Sequence, residues 1–151
     1  MSSPEVRAQI IRFCVRRERS QREVLDKIRE LQAPTQWLEE LQQEGWWNQE
    51  RFAKAYAFDH WNLHHWGKEK ISHGLRAAGV DSGLRQQVLN NLPHEEYLQK
   101  LKRLMQRKQQ SYAQDITEEL RQKSRSHFAR KGYSWDDILD AEKGLTYGEE
   151  F

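Results

Sequence analysis

Apolar residues recur along this chain three and four positions apart, with charged residues between them, a spacing that gives helices with one apolar stripe. Val6, Ile10, Phe13 and Cys14 make the first stripe. Ser3-Pro4-Glu5 precedes it as a start signal, because a serine oxygen accepts from free backbone N–H groups and proline is pre-set for the first helical position. Ser20 with Glu23 is a capping box and opens a second helix carrying Val24, Leu25, Ile28 and Leu31. Ala33-Pro34-Thr35 breaks that helix, and Thr35 is expected to cap a third, with Trp37, Leu38 and Leu41, closing at Gly45.

The pattern then recurs. Asn48 caps a helix with Phe52, Ala53, Tyr56 and Ala57 on one face. A helix starting near Gly67 carries Ile71 and Leu75 and stops at Gly79, and Asp81 caps another with Leu84 and Val88. From Pro93 a long helix places Tyr97, Leu98, Leu101 and Leu104 together. Ile116, Leu120 and Phe128 follow on a helix ending at Gly132, and Ser134 with Asp137 caps a last helix bearing Trp135, Ile138 and Leu139. Superposing Val24 and Ile28 on Ile71 and Leu75, and on Ser124 and Phe128, aligns Gln32, Gly79 and Gly132 at the helix stop, with offsets of about 47 and about 53 residues. The expected fold is all-α: three tandem three-helix repeats, residues 1–47, 48–92 and 93–143, stacked into an elongated, curved helical array. Residues 144–151 lack periodicity and are expected to fray.

Composition agrees with narrow stripes rather than a thick core. Hydrophobic residues are 36% of the 151 and charged residues 32%, and the mean hydropathy is -1.05. With 25 Lys and Arg against 23 Asp and Glu, the net charge of +2 is too small for a dedicated DNA binder, so any basic surface must be local. The single Cys14 excludes an internal disulfide framework. No apolar run at the N-terminus could serve as a secretory signal or a membrane span, so a cytoplasmic address without a membrane partner is expected, and the chain is expected to be a monomer.

Several strings carry a family resemblance. Glu50-Arg51-Phe52-Ala53, followed by Trp66-Gly67-Lys68 leading into Lys70, Ile71, Leu75 and Gly79, resembles the signature of RecX proteins. Ser20, Glu23 and Ile28 are similar to the start of that family's second helix. Glu96-Tyr97 and Leu101 are similar to its linking helix, and Phe128, Lys131-Gly132-Tyr133 and Ile138 to its closing segment. The likeness runs from about residue 5 to about residue 142, the extent that tandem repeats of this size would cover. Gln49 and Glu50 stand where many members carry an Asp before the Phe-Ala pair. The resemblance implies a modulator of the RecA recombinase that lies in the groove of the RecA filament on single-stranded DNA. Such a protein limits filament growth or promotes disassembly, and so suppresses strand exchange and ATP hydrolysis. The expected partners are thus the RecA filament and, through it, single-stranded DNA.

Candidate chemistry is sparse. His60, His64 and His65 suggest a metal, but no Cys pair or second His group completes four ligands, and these rings fit better in an aromatic, polar surface with Trp61 and Trp66. There is no phosphate-cradling glycine loop and no serine elbow, and Cys14 sits on an apolar face, so neither enzyme activity nor a cofactor is expected. Basic residues crowd the first helix end (Arg12, Arg16, Arg17, Arg19), the start of the fifth helix (Lys68, Lys70) and the seventh (Lys100, Lys102, Arg103, Arg107, Lys108). Such runs are ordinarily solvated faces, and near helix C-termini they complement the dipole. The resemblance shifts the balance, and Arg51, Lys54, Lys68, Lys70, Arg76, Arg125, Arg130 and Lys131 are the candidate partner contacts. The alternative from another class is a direct helix-turn-helix DNA-binding module, since three-helix units also build such readers. Of the six tryptophans, Trp37 and Trp135 fall at core spacing, while Trp46 and Trp47 either seal the joint between repeats or anchor a partner.

Overall fold

The computed structural model describes residues 2–112 and 115–145. Among them are nine helices and no strand: α1 Ser3–Arg16, α2 Gln21–Glu30, α3 Trp37–Gln43, α4 Gln49–Asn62, α5 Lys68–Ala77, α6 Ser82–Asn90, α7 His94–Gln110, α8 Glu118–Arg130 and α9 Trp135–Lys143. Local chemistry sets most of their starts. Ser20 and Glu23 form the reciprocal capping box, each bond 3.0 Å long. Asn48, Asp81 and Ser134 accept from the N–H groups of Arg51, Leu84 and Asp137. Two expected caps differ. The cap of α1 is Ser2, one residue before Ser3, because its oxygen faces the Glu5 N–H. Thr35 caps nothing with its side chain: a turn in which Leu38 N–H donates to its carbonyl shifts the start of α3 to Trp37, behind Gln36.

The repeat register holds in the backbone. Gln32, Gly79 and Gly132 all have left-handed φ, at 56°, 92° and 103°, which turns each second helix back toward its third. Val24 and Ile28, Ile71 and Leu75, and Ser124 and Phe128 are all buried. Ser124 thus occupies a position filled by Val24 and Ile71 in the other units, and its buried hydroxyl has no hydrogen-bond partner. Ser124→Ala is expected to raise stability by roughly 1 kcal/mol, since it removes an unanswered buried hydroxyl and improves helix propensity. A urea midpoint that rises at constant slope would bear this out, and a fall would mean that the hydroxyl is partnered.

Packing does not divide evenly among the triplets. The first has its own core of Ile10, Cys14, Val24, Ile28, Leu41 and Trp47. The second and third share one, in which Phe52, Trp61, Ile71 and Leu75 join Tyr97, Leu101, Met105, Phe128, Tyr133 and Ile138. Of the segment expected to fray, Leu145 is buried in this shared core at 5% exposure, and residues 146–151 lie outside the described residues.

The two joints differ accordingly. Between the first and second triplets Arg22 N–H donates to Ala78 O, and the Gln49 amide donates to Gly79 O and Gln21 Oε1. A carboxylate at position 49 could not make those donations. Arg51 Nε also reaches both Glu18 oxygens, at 2.8 and 3.0 Å. Between the second and third, backbone meets backbone: Gly67 N–H donates to Lys131 O at 2.8 Å and Glu69 N–H to Gly132 O at 3.0 Å. Lys68 N–H donates to the Tyr97 hydroxyl at 2.8 Å, and the Tyr133 hydroxyl to His65 O at 3.0 Å.

Candidate functional site

The second joint builds a cleft. The α4–α5 loop passes over the C-terminal halves of α7 and α8 and is pinned there by the Tyr133 and Gly132 bonds. His65 takes a left-handed φ of 61° in this loop, a conformation uncommon for a non-glycine residue but one that histidine adopts more readily than most. Under it opens a hollow of about 380 Å³ with a floor of Leu104 and Phe128 and a rim of His65, Arg107, Lys108, His127 and Lys131. Among the described residues no acidic side chain lines it. A hollow of about 290 Å³ between α7 and α9 differs in that Glu95 and Asp140 share it with Lys102.

The cleft's electrostatics follow from that lining. Burial, and then the charges of Lys100, Lys131, Arg107 and His64, hold the His65 pKa below the ordinary imidazole value. Burial, Lys108, Lys131 and Arg130 do the same to His127. Burial and the neighbouring Lys70 lower the Lys131 ammonium. Each of these groups bears the cost of adjacent positive charge.

Beside the rim lies a run of rings. Tyr56 and His60 stack at 3.8 Å, His60 meets Trp66 at 4.5 Å, and the Lys70 ammonium sits 4.4 Å from the Trp66 ring centre. The histidine and Trp66 surface expected from sequence is therefore present. Trp61 does not belong to it, because the residue turns inward and is buried at 5% exposure. Trp135 departs the other way: it is 44% exposed, since the core side of α9 is taken by Ile138 and Ala141. Trp47 seals the first core and donates its indole N–H to Leu38 O, while Trp46 is exposed.

The eight candidate contacts fall in different places. Lys70 and Lys131 come together, because Lys70 packs against Gly132, and exposed Arg130 precedes Lys131 at the end of α8. Lys68, two positions before Lys70, has its ammonium 4.8 Å from the Tyr97 ring centre and lines a separate hollow with Ser72, Ser82 and Arg85. Arg76 is exposed at the far end of α5. Arg51 and Lys54 sit on the first turns of α4, paired with Glu18 and Glu50. Arg125 turns inward between Glu118 and Glu142 at 2.9 Å from each, and the Glu118 hydrogen bond and the other ion pairs hold its charge more firmly despite burial. Of the other basic runs, Arg19 folds back to donate to Phe13 O at 2.8 Å and to cover the Phe13 ring. Arg107 and Lys108 were visible in sequence only as part of a basic run. His65 and His127 carried no signal as partners, since 62 positions of chain separate them.

Stacked three-helix units with a cationic concavity define the class as an all-helical repeat protein, and no described helix is long and apolar enough to cross a membrane. Two family profiles place it further: the second three-helix domain of RecX matches residues 48–89 and the third matches residues 95–141. The chain belongs to the RecX family of regulatory proteins. It is 26% identical over 141 residues to the regulatory protein RecX of Bacillus velezensis, covering 91% of this chain and 54% of that one. With the Oceanobacillus iheyensis regulatory protein RecX it shares 27% identity over 127 residues, 82% of this chain and 47% of the relative. The chain thus spans about half the length of the curated relatives it matches. Its fold is that of the crystal structure of RecX from Lactobacillus salivarius, with a TM-score of 0.85, 20% identity, and coverage of 94% of this chain and 95% of the other. A second RecX crystal structure gives a TM-score of 0.81 at 17% identity, over 93% of this chain and 71% of that one.

Proposed function

We propose that this protein binds the RecA nucleoprotein filament and inhibits its recombinase and ATPase activity, by limiting filament growth or promoting disassembly, and so modulates DNA recombination and repair. The observation that carries this reading is the pair of adjacent RecX three-helix domains within one all-helical array. Repeated units suit a partner that itself repeats, because each unit can meet a successive subunit along a polymer. In this reading the units divide at residues 47/48 and 92/93, and the protein acts as a cytoplasmic monomer without catalysis or cofactor. The filament-facing side is that of Lys68, Lys70, Arg130 and Lys131, with Arg51, Lys54 and Arg76 extending it. Arg125 supports this side from within through its ion pairs with Glu118 and Glu142.

The deciding experiment is RecA-dependent ATP hydrolysis on single-stranded DNA. Inhibition is expected when this protein approaches the concentration of RecA, and it should weaken in the double substitution Lys70→Glu with Arg130→Glu while the thermal midpoint holds. Undiminished hydrolysis with wild-type protein would remove the reading.

A further inference from the structure

The cleft between α7 and α8 has chemistry that filament contact by the second helices does not require. We propose that it is a binding site for a phosphate group whose affinity rises as the pH falls, with His65 and His127 supplying the added charge. The site stands on its own geometry, whether or not the chain meets a filament.

Three elements bring basic side chains to one hollow: the α4–α5 loop gives His65, the last turns of α7 give Arg107 and Lys108, and the end of α8 gives His127 and Lys131. Several cations elsewhere are paired with carboxylates, as in Arg7 with Glu44, Arg17 with Glu23, Arg51 with Glu18 and Arg125 with Glu118 and Glu142. Among the described residues no carboxylate pairs with Arg107, Lys108 or Lys131. Charges that repel one another in a shared hollow are a standing cost, which an anion removes.

A simpler account is that basic residues end a helix because its last carbonyls are partly negative. That account fails for this cleft, because those carbonyls are already answered. Ser111 donates its N–H to Arg107 O and its hydroxyl to Lys108 O. At the end of α8, Gly132 N–H donates to Ala129 O, and Lys131 O and Gly132 O accept from Gly67 and Glu69. Lys131 donates its ammonium to His64 O at 3.1 Å, so Arg107 and Lys108 are the lining cations with the most freedom to meet a ligand.

The volume and the floor point to the ligand's form. A hollow of about 380 Å³ has room for more than a bare phosphate, and Leu104 and Phe128 offer an apolar surface to whatever carries it. The shared chemistry is a phosphate ester, either a free nucleotide or one link of a nucleic-acid backbone. Arg107 supplies a planar fork that matches two phosphate oxygens, and the lysines supply point charges.

The pH dependence follows from the groups that face each ring. His127 is faced by Lys108 of α7 and by Lys131 and Arg130 on its own side, and His65 by Lys100 and Arg107 of α7, by Lys131 and by His64. Burial first, and then the positive charge of these lysines and arginines, lower both imidazole pKa values in the unliganded protein. The unfolded chain therefore binds more protons, and the unliganded protein loses stability as the pH falls through the histidine range. A bound phosphate reverses the field, raises both pKa values and draws in protons, so binding tightens in the same range.

The test uses the whole chain with three probes: inorganic phosphate, adenosine monophosphate and a labelled oligothymidine. Affinity and thermal midpoint are compared at about pH 6 and about pH 8, where imidazole charge differs most; because phosphate and a phosphate monoester themselves lose charge in this range, the imidazole contribution is read as the difference between wild type and His127→Gln for each probe. At least about threefold tighter binding at the lower pH is expected for one of the probes, with proton uptake on binding. His127→Gln should flatten the pH dependence, and Arg107→Gln, at an exposed position, should remove most of the binding without altering the fold by circular dichroism. A response to adenosine monophosphate assigns the site to a free nucleotide, and a response confined to the oligomer assigns it to a nucleic-acid backbone. Equal affinity at both pH values, or binding by both variants that matches the wild type, would overturn the proposal.

Discussion

Gly67→Ala is expected to destabilise the protein by roughly 3 kcal/mol or more, one of the two largest effects of any single substitution considered, because it forces two backbones apart. The φ of Gly67 is -83°, which any residue adopts, so the cost is steric and not conformational. A β-carbon there would collide with the carbonyl carbon and oxygen of Gly132 and the nitrogen of Tyr133, all backbone atoms that cannot rotate away. Relief requires separating the α4–α5 loop from the end of α8, which stretches the Gly67–Lys131 and Glu69–Gly132 hydrogen bonds. Gly132→Ala strikes the same seam from the other side, with its β-carbon 2.5 Å from Lys70 Cβ and 2.6 Å from Lys70 N and its φ in the left-handed region. The two substitutions share one relaxation, so together they should cost less than their sum. Gly45→Ala is the control: its φ is 87° but nothing beyond its own chain neighbours lies within 4 Å of an added β-carbon, so only about 1 kcal/mol of conformational strain is at stake. Urea denaturation of the three variants decides the matter. Equal losses in Gly67→Ala and Gly45→Ala would show that the backbones of the second joint are not in contact.

Lys100→Met should cost about 2 to 4 kcal/mol, the worth of two charge-assisted hydrogen bonds less the relief of a desolvated charge. Lys100 is 9% exposed, and its ammonium donates to Trp61 O and Asn62 O at 2.7 Å each while lying 5.0 Å from the Trp61 ring centre. It closes the C-terminus of α4 from a neighbouring triplet, using a side chain where a helix end is otherwise met by solvent or a glycine turn. Burial, and then Arg103, lower its pKa, so the ammonium is held at a cost that its two acceptors must offset. Methionine keeps the aliphatic stem and removes only the donors. A thermal midpoint within a degree of wild type would mean that the carbonyls find water as readily as they find Lys100.

The elements of this fold were legible because their signals are local. Ser20 with Glu23, Asn48, Asp81 and Ser134 each act within one helical turn, and the shared stop at Gln32, Gly79 and Gly132 could be seen by laying one unit on another. Thr35 misled because a tight turn took up the backbone that its hydroxyl would have capped. Trp61 and Trp135 misled because periodicity says which residues share a face and not which face another helix will cover. The cleft was the least legible feature. His65 and His127 line one hollow because Gly67 lets the loop descend onto Gly132, and no pattern in either segment announces the other. Lys100 looked like one more member of a solvated basic run until α4 ended beside it.

The unequal seams have a consequence for how this sequence can drift. Where a side-chain amide and a surface ion pair, beside one backbone bond, hold two units, many residue pairs can substitute for one another, and an imperfect replacement costs alignment alone. Where main chain lies on main chain, only the absence of a side chain will serve, and a change there reaches the hydrophobic interior of both units at once. Random replacements should therefore accumulate readily around Glu18, Gln21 and Arg51 and scarcely at all at positions 67 and 132, so that inheritance constrains the last two triplets as one body and leaves the first freer to vary.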